Sequence, residues 1–276
     1  MSSFLDEMAA ASTARLRAAR THLSEAALLE RASHAAAAPP LRLSAEGFDL
    51  IAELKLRSPA AGALGAAAGS IGERAVAYAQ AGAAAVSVLT EPSRFDGALS
   101  HLSEAARALA PFGVPAMRKD FLIDPYQVLE ARAAGAGGVL LILRMLSGET
   151  LGTLIECARA QGLFVLLEAF DESDLERMRQ VIAADAGRST LLAGVNCRDL
   201  GTLEVVPQRL FELAPLMPPQ VPHVAESGIE VAADAARLAA AGYDLTLVGS
   251  ALMRGADPGA LARSLLAAGR SARGGS

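Results

Sequence analysis

The feature that most constrains this chain is a repeated handover from helix to strand. AGAAAVSVL from Ala81, AGAGGVLLI from Ala134 and AGYDLTLVG from Ala241 each carry an alanine-rich stretch through a glycine into a continuous apolar run. The glycine suits the left-handed conformation that closes a helix, and an unbroken apolar run suits a strand buried on both faces. Eight such runs follow one another: Leu50–Leu54, Ala84–Leu89, Val114–Met117, Val139–Leu143, Leu163–Leu167, Leu191–Val195, His223–Ala225 and Leu245–Val248. Their starts lie 22 to 34 residues apart, room for one strand, one helix and two short loops. The pattern predicts an α/β fold, a (β/α)8 TIM barrel. An open doubly wound sheet is the competing architecture, but it usually has fewer strands, and no GxGxxG follows the first run.

Residues 4–31 read as one extra N-terminal helix with apolar positions at Phe4, Leu5, Met8, Leu16, Leu23 and Leu28, ended by AAAAPP at 35–40. The expected organisation is a helical extension over 1–44, the barrel over 45–268 and a flexible tail over 269–276. Of the 276 residues 52% are hydrophobic, but 61 are alanine, so small-residue packing accounts for much of that figure. The longest apolar run, near Gly137–Leu143, is far shorter than the roughly 18–20 residues a membrane helix needs. The opening MSSFLDEMAA carries acids and lacks a basic stretch, so a cytoplasmic location is expected. Net charge is −5, from 25 basic and 30 acidic residues without a Lys/Arg run longer than two, which argues against a nucleic-acid partner. Cys157 and Cys197 stand 40 apart with no CxxC, the wrong spacing for zinc and a poor basis for a disulfide scaffold.

Active sites of such barrels lie where the strands end at their carboxyl side. Run one ends in IAELKLRSP, and strand alternation points Glu53 and Lys55 the same way. Run three places Lys119 just past its strand; run five ends in Glu168 and run six in Asn196 and Arg198. Run seven ends in Glu226, Ser227 and Gly228, run eight in Gly249 and Ser250. Opposite charges there could form a merely structural ion-pair network, yet so many charged residues at strand ends point to one site. Gly228, Gly249 and Ser250, read as the starts of the following helices, suggest a phosphate cradle; tight turns are the plainer explanation. With no Walker motif and no metal-spaced acid cluster, the expected chemistry is acid–base work on a phosphorylated small molecule, with no metal and no cofactor. His22, His34, His101 and His223 form no paired motif. Cys197 and Arg118 alternate away from the mouth and read as structural, and Tyr126 reads as packing at a helix start.

IAELKLRSPAAG (51–62), AGAAAVSVLTEPSRFDGAL (81–99), VPAMRKDFLIDPYQVLEARAAGAGGVLLI (114–142), LLEAFDES (166–173), AGVNCRDLGTLEV (193–205), VAESGI (224–229) and LVGSALMR (247–254) together resemble the indole-3-glycerol phosphate synthase family of tryptophan biosynthesis. The resemblance spans residues 45–268, and the N-terminal helix matches that family's extra helix. It implies conversion of 1-(2-carboxyphenylamino)-1-deoxyribulose 5-phosphate to indole-3-glycerol phosphate with loss of carbon dioxide and water. It further implies Lys119 as general acid, Glu168 as acceptor at the bridging amine, and Glu53 or Lys55 as helper in the dehydration. Ser58, Asn196, Arg198, Glu226 and Ser227 would hold substrate; Lys55, Gly228, Gly249 and Ser250 would hold its phosphate.

Two positions depart from the family pattern. Ala60 stands where a serine is usual, which bears on closure of the loop after the first strand, and Phe170 stands where a histidine is usual. They keep open a paralogue acting on a substituted aryl substrate; a catalytically silent phosphate-ligand-binding barrel is the other alternative. Phosphoribosylanthranilate isomerase, a neighbouring barrel, relies on a Cys/Asp pair, and the first strand here offers Glu53 and Lys55 instead. The expected partner is the small phosphorylated substrate alone, on a monomer, with a weak dimer as the alternative.

Overall fold

Each expected run is a strand in the computed structural model, which describes residues 4–58, 62–63, 70–199, 201–255 and 257–274. In chain order the strands are Asp49–Leu54, Ala85–Leu89, Ala116–Lys119, Gly138–Ile142, Phe164–Ala169, Leu191–Asn196, His223–Glu226 and Leu245–Val248. Every pairing within the barrel is parallel, and the sheet closes because the first strand pairs with both the second, Ile51 opposite Ala85, and the eighth, Ile51 opposite Leu247. Closure leaves no barrel edge open. Gly82, Gly135 and Gly242, the glycines of the three repeated junctions, all adopt positive φ (96°, 91° and 103°), as a left-handed helix stop requires.

Alternation along the strands divides the core in two. Ile51, Met117, Leu140, Ile142, Phe164, Leu166, Leu192, Val224, Leu245 and Leu247 fill the barrel interior. The intervening residues, among them Leu50, Val86, Val139, Val165 and Ala193, pack outward against the helices. The interior cluster therefore floors the carboxyl-end mouth, and the last inward position on several strands is polar.

The structure corrects three boundaries. Residues 4–31 are not one helix but two, Phe4–His22 and Glu25–His34. Ser24 splits them: its extended backbone leaves the helix, and its hydroxyl accepts from the Ala27 N–H as an N-cap. Lys119 is the last residue of the third strand, not a residue beyond it. Of the expected flexible tail, residues 269–274 are helical, since the final helix runs from Pro258 through Gly274. Arg270 holds that end down by donating to the Phe48 carbonyl at 3.1 Å and to Asp49 at 3.2 Å, while Arg273 reaches Asp244 at 2.9 Å.

Candidate active site

Period-two alternation brings Glu53 and Lys55 to one wall of the mouth, where Lys55 Nζ lies 2.7 Å from Glu53 Oε1. From the third strand Lys119 reaches across to Glu168 on the fifth, with Nζ 3.1 Å from Oε2, and stands 3.9 Å from Glu226 Oε2 on the seventh. Asn196 donates to the other Glu168 oxygen at 3.3 Å and accepts from the Arg198 N–H at 2.9 Å. Arg198 donates to the Leu203 carbonyl at 2.7 Å, so it also shapes the loop after the sixth strand. These side chains, with Ser58, Ser227, Gly228, Gly249 and Ser250, line one cavity of about 740 Å³.

Two interior glycines make the charge cluster possible. A Cβ at Gly194 would collide with Glu226 Oε1, and a Cβ at Gly249 would collide with the Glu53 carboxylate. Each carboxylate occupies the space that a neighbouring strand's side chain would need. Gly194 was not among the expected site residues; a glycine inside a strand signals close approach, but its partner lies 32 residues away in sequence.

Burial opposes the charge on Lys119, yet Glu168, Glu226 and Glu53 outweigh it and hold the pKa above the ordinary lysine value. Burial likewise opposes ionisation of Glu53, but Lys55 and Lys119 prevail and its pKa is lowered. Glu226 goes the other way. Burial and then the Glu168 carboxylate raise its pKa well above the usual range, and neither of its oxygens receives a hydrogen bond from another side chain or the backbone. Lys119 is thus held as an ammonium ion among Glu168, Glu53 and Glu226, the last of which keeps its proton beyond the usual carboxylate range.

One side of the cavity is aromatic. Phe4, Phe95 and Phe121 line the cavity, with Phe4 edge-on to Phe121 at 5.9 Å between ring centres and Phe95 tilted against it at 6.3 Å. None of the three stood out in the sequence, because an isolated phenylalanine carries no pattern. Leu140 and Ile142 complete the apolar side.

At the remaining corner the expectation changes in part. Gly249 is the N-cap and Ser250 the first residue of a short helix, Ser250–Arg254, as anticipated. Gly228 is not a helix start: the next helix begins at Ala232, and Asp234 accepts the N–H groups of Glu230 and Val231 ahead of it. Ser227 and Gly228 both have φ of 71°, and a Cβ at Gly228 would lie 2.9 Å from Val205 Cγ1. A left-handed serine at the lip is the kind of local strain that gathers at functional sites.

The residues read as structural are so placed. Arg118 is buried, donating to the Gln127 carbonyl, Glu130, Thr90 and Asp120. Cys197 is buried with its thiol toward the Ser227 carbonyl, and Tyr126 donates to the Ala19 and Leu23 carbonyls. Phe170 is buried beneath the Arg144 guanidinium and does not line the cavity. Ala60 lies outside the described residues. Among the described residues no group of three or more His, Cys, Asp or Glu side chains is arranged to hold a metal ion, and no helix is long and apolar enough to cross a membrane.

A closed parallel barrel with a lysine–carboxylate cluster at its carboxyl-end mouth defines a (β/α)8-barrel enzyme of the acid–base type. Solved structures agree on the fold. Thiamine phosphate pyrophosphorylase from Pyrococcus furiosus superposes with a TM-score of 0.59 at 15% identity, covering 82% of this chain and 97% of that one. The 3-hexulose-6-phosphate synthase of Salmonella typhimurium gives 0.58 at 17%, covering 80% and 97%. The sequence is more specific: the family model described as indole-3-glycerol phosphate synthase matches residues 5–265. The chain is 45% identical over 227 residues to the indole-3-glycerol phosphate synthase of Parafrankia sp. (strain EAN1pec), covering 82% of this chain and 81% of the relative. It is 43% identical over 255 residues to that of Streptomyces griseus, covering 92% and 90%. The chain belongs to the indole-3-glycerol phosphate synthase family, carboxy-lyases of tryptophan biosynthesis.

Proposed function

We propose that this chain converts 1-(2-carboxyphenylamino)-1-deoxyribulose 5-phosphate to indole-3-glycerol phosphate, carbon dioxide and water, with Lys119 as the proton donor. The observation that carries the reading is Lys119 Nζ held between Glu168 and Glu226 in the cavity that Phe4, Phe95 and Phe121 also line. An aryl ring packs against those phenylalanines while the ribulose carbonyl faces the ammonium group. As the ring carbon bearing the carboxylate attacks the carbonyl carbon, Lys119 delivers a proton to the carbonyl oxygen. Glu168, steadied by Asn196, stabilises the positive charge that develops on the bridging nitrogen. Loss of carbon dioxide then returns the bonding electrons to the ring system.

The new hydroxyl leaves as water once protonated, the adjacent ring methylene gives up a proton to form the indole double bond, and the Glu53–Lys55 pair on the near wall assists this last step. Arg198, Ser58, Glu226 and Ser227 orient the substrate, and Lys55 with the backbone at Gly228, Gly249 and Ser250 receives the phosphate. The working unit proposed is a monomer, with a weak dimer as the alternative. Two unpaired thiols suit the reducing cytoplasm, where we place the reaction.

The test is the indole fluorescence that ring closure creates, followed after mixing purified protein with that substrate. The expected result is a rise in the wild type and a drop of about 10²-fold or more in kcat for Lys119→Ala. The variant is expected to stay folded and bind substrate, with a lowered melting temperature because buried Glu168 loses its cation. A wild type that stays dark overturns the reaction, and a Lys119→Ala variant with most of the activity overturns the proton donor.

A further inference from the structure

We infer that Arg15, on the N-terminal helix, is a positioning residue that fixes Lys119 relative to the aromatic wall; the inference rests on the reaction proposed above. The segment after the third strand is held by a buried carboxylate. Asp120 Oδ1 accepts from Arg15 at 2.7 Å and from the Phe121 N–H at 2.8 Å, while Oδ2 accepts from Thr90 at 2.7 Å and Arg118 at 3.1 Å. Four donors leave Asp120 little freedom, and the Thr90 N–H donates to the Lys119 carbonyl itself at 3.0 Å. The backbone on which Lys119 stands is thereby registered against the end of the second strand.

A second buried carboxylate holds the aromatic side. Glu91 accepts from the Ser93 N–H and hydroxyl and from the Arg94 N–H, fixing the turn Pro92–Phe95 that carries Phe95 into the cavity. Arg15 places one guanidinium nitrogen 2.7 Å from Asp120 and the other 3.3 Å from Glu91. Its planar fork spans the two carboxylates, and a lysine offers a single point of charge instead. The same helix contributes Phe4 to the wall.

Docking of that helix does not depend on Arg15. Ser12 donates to the Phe121 carbonyl at 2.6 Å and accepts from Gln127, Met8 is buried in the interior cluster, and Tyr126 donates to the carbonyls of Ala19 and Leu23. Removing Arg15 therefore leaves the helix in place and frees the two segments to drift relative to each other. Displacements of about 1 Å at a reacting centre cost up to ~10²-fold in rate.

The experiment compares wild type, Arg15→Met, Arg15→Lys and Tyr126→Phe in the indole-fluorescence assay, with melting curves for each. Arg15→Met is expected to lower kcat about tenfold or more with KM within about threefold. Arg15→Lys is expected to recover only part of the loss, since an ammonium group cannot span both carboxylates. Tyr126→Phe weakens helix docking away from the cavity and is expected to lower the melting temperature with kcat unchanged. An Arg15→Met variant with kcat within twofold of wild type overturns the inference, as does a Tyr126→Phe variant that loses as much kcat. An inactive wild type instead refutes the underlying reaction, and the positioning role falls with it.

Discussion

Glu226 sets a pH signature that can be read without any substrate. Lys119 on the third strand, Glu168 on the fifth and Glu53 on the first face it, and burial with the Glu168 charge outweighs the lysine. Its folded pKa lies above the unfolded value of about 4.3. The stability it contributes is therefore complete below that pH and is lost as the pH rises through the folded pKa. Glu226→Gln removes the titration. The melting-temperature difference, variant minus wild type, is expected to grow in the variant's favour from about pH 5 upward; a difference independent of pH would show that Glu226 ionises normally. The charged members of this cluster were legible in the sequence because each ends an apolar run and alternation aims it inward. The phenylalanines of the cavity's aromatic side were not, since Phe4, Phe95 and Phe121 come from three separate segments that only the fold assembles.

Among the elements, the N-terminal pair of helices shows where periodicity misleads. Apolar residues continue across Ser24 at helical spacing, so the pattern reads as one rod, but a serine that accepts from the N–H three residues on begins a new helix. The break lets Glu25–His34 turn so that Leu28 and Ala32 bury against Tyr126 and Leu129. Ser24→Ala is expected to cost about 1 kcal/mol in urea unfolding, with no change in the cavity. A loss below a few tenths of a kcal/mol would mean that packing alone sets the break. The strands were easier to read than the helix ends, because both-face burial leaves few polar residues to blur their limits.

For the whole molecule, the decisive contact is the closure between first and eighth strands, and the last helix braces it from outside. Arg270 bonds the Phe48 carbonyl and the buried Asp49 where the first strand begins, and Arg273 bonds Asp244 just before the eighth. A chain ending at residue 268 leaves Asp49 with the Ser44 N–H and no guanidinium. Leaving a buried carboxylate without its cation costs about 3 kcal/mol, which corresponds to roughly 6–12 °C in melting temperature at this size. Calorimetry of the truncated chain measures it, and an unchanged transition would show residues 269–276 to be dispensable. Composition gave no warning of this role: GRSARGGS (269–276) reads as a tail, and only the positions of Asp49 and Asp244 make its two arginines structural.

The two glycines that yield their space to carboxylates also limit how this barrel can change. A side chain at position 194 meets the Glu226 carboxylate and one at position 249 meets that of Glu53, so either substitution makes the acid move. Each glycine and the acid that faces it are therefore coupled: filling the glycine displaces the carboxylate from its place among the charges of the mouth.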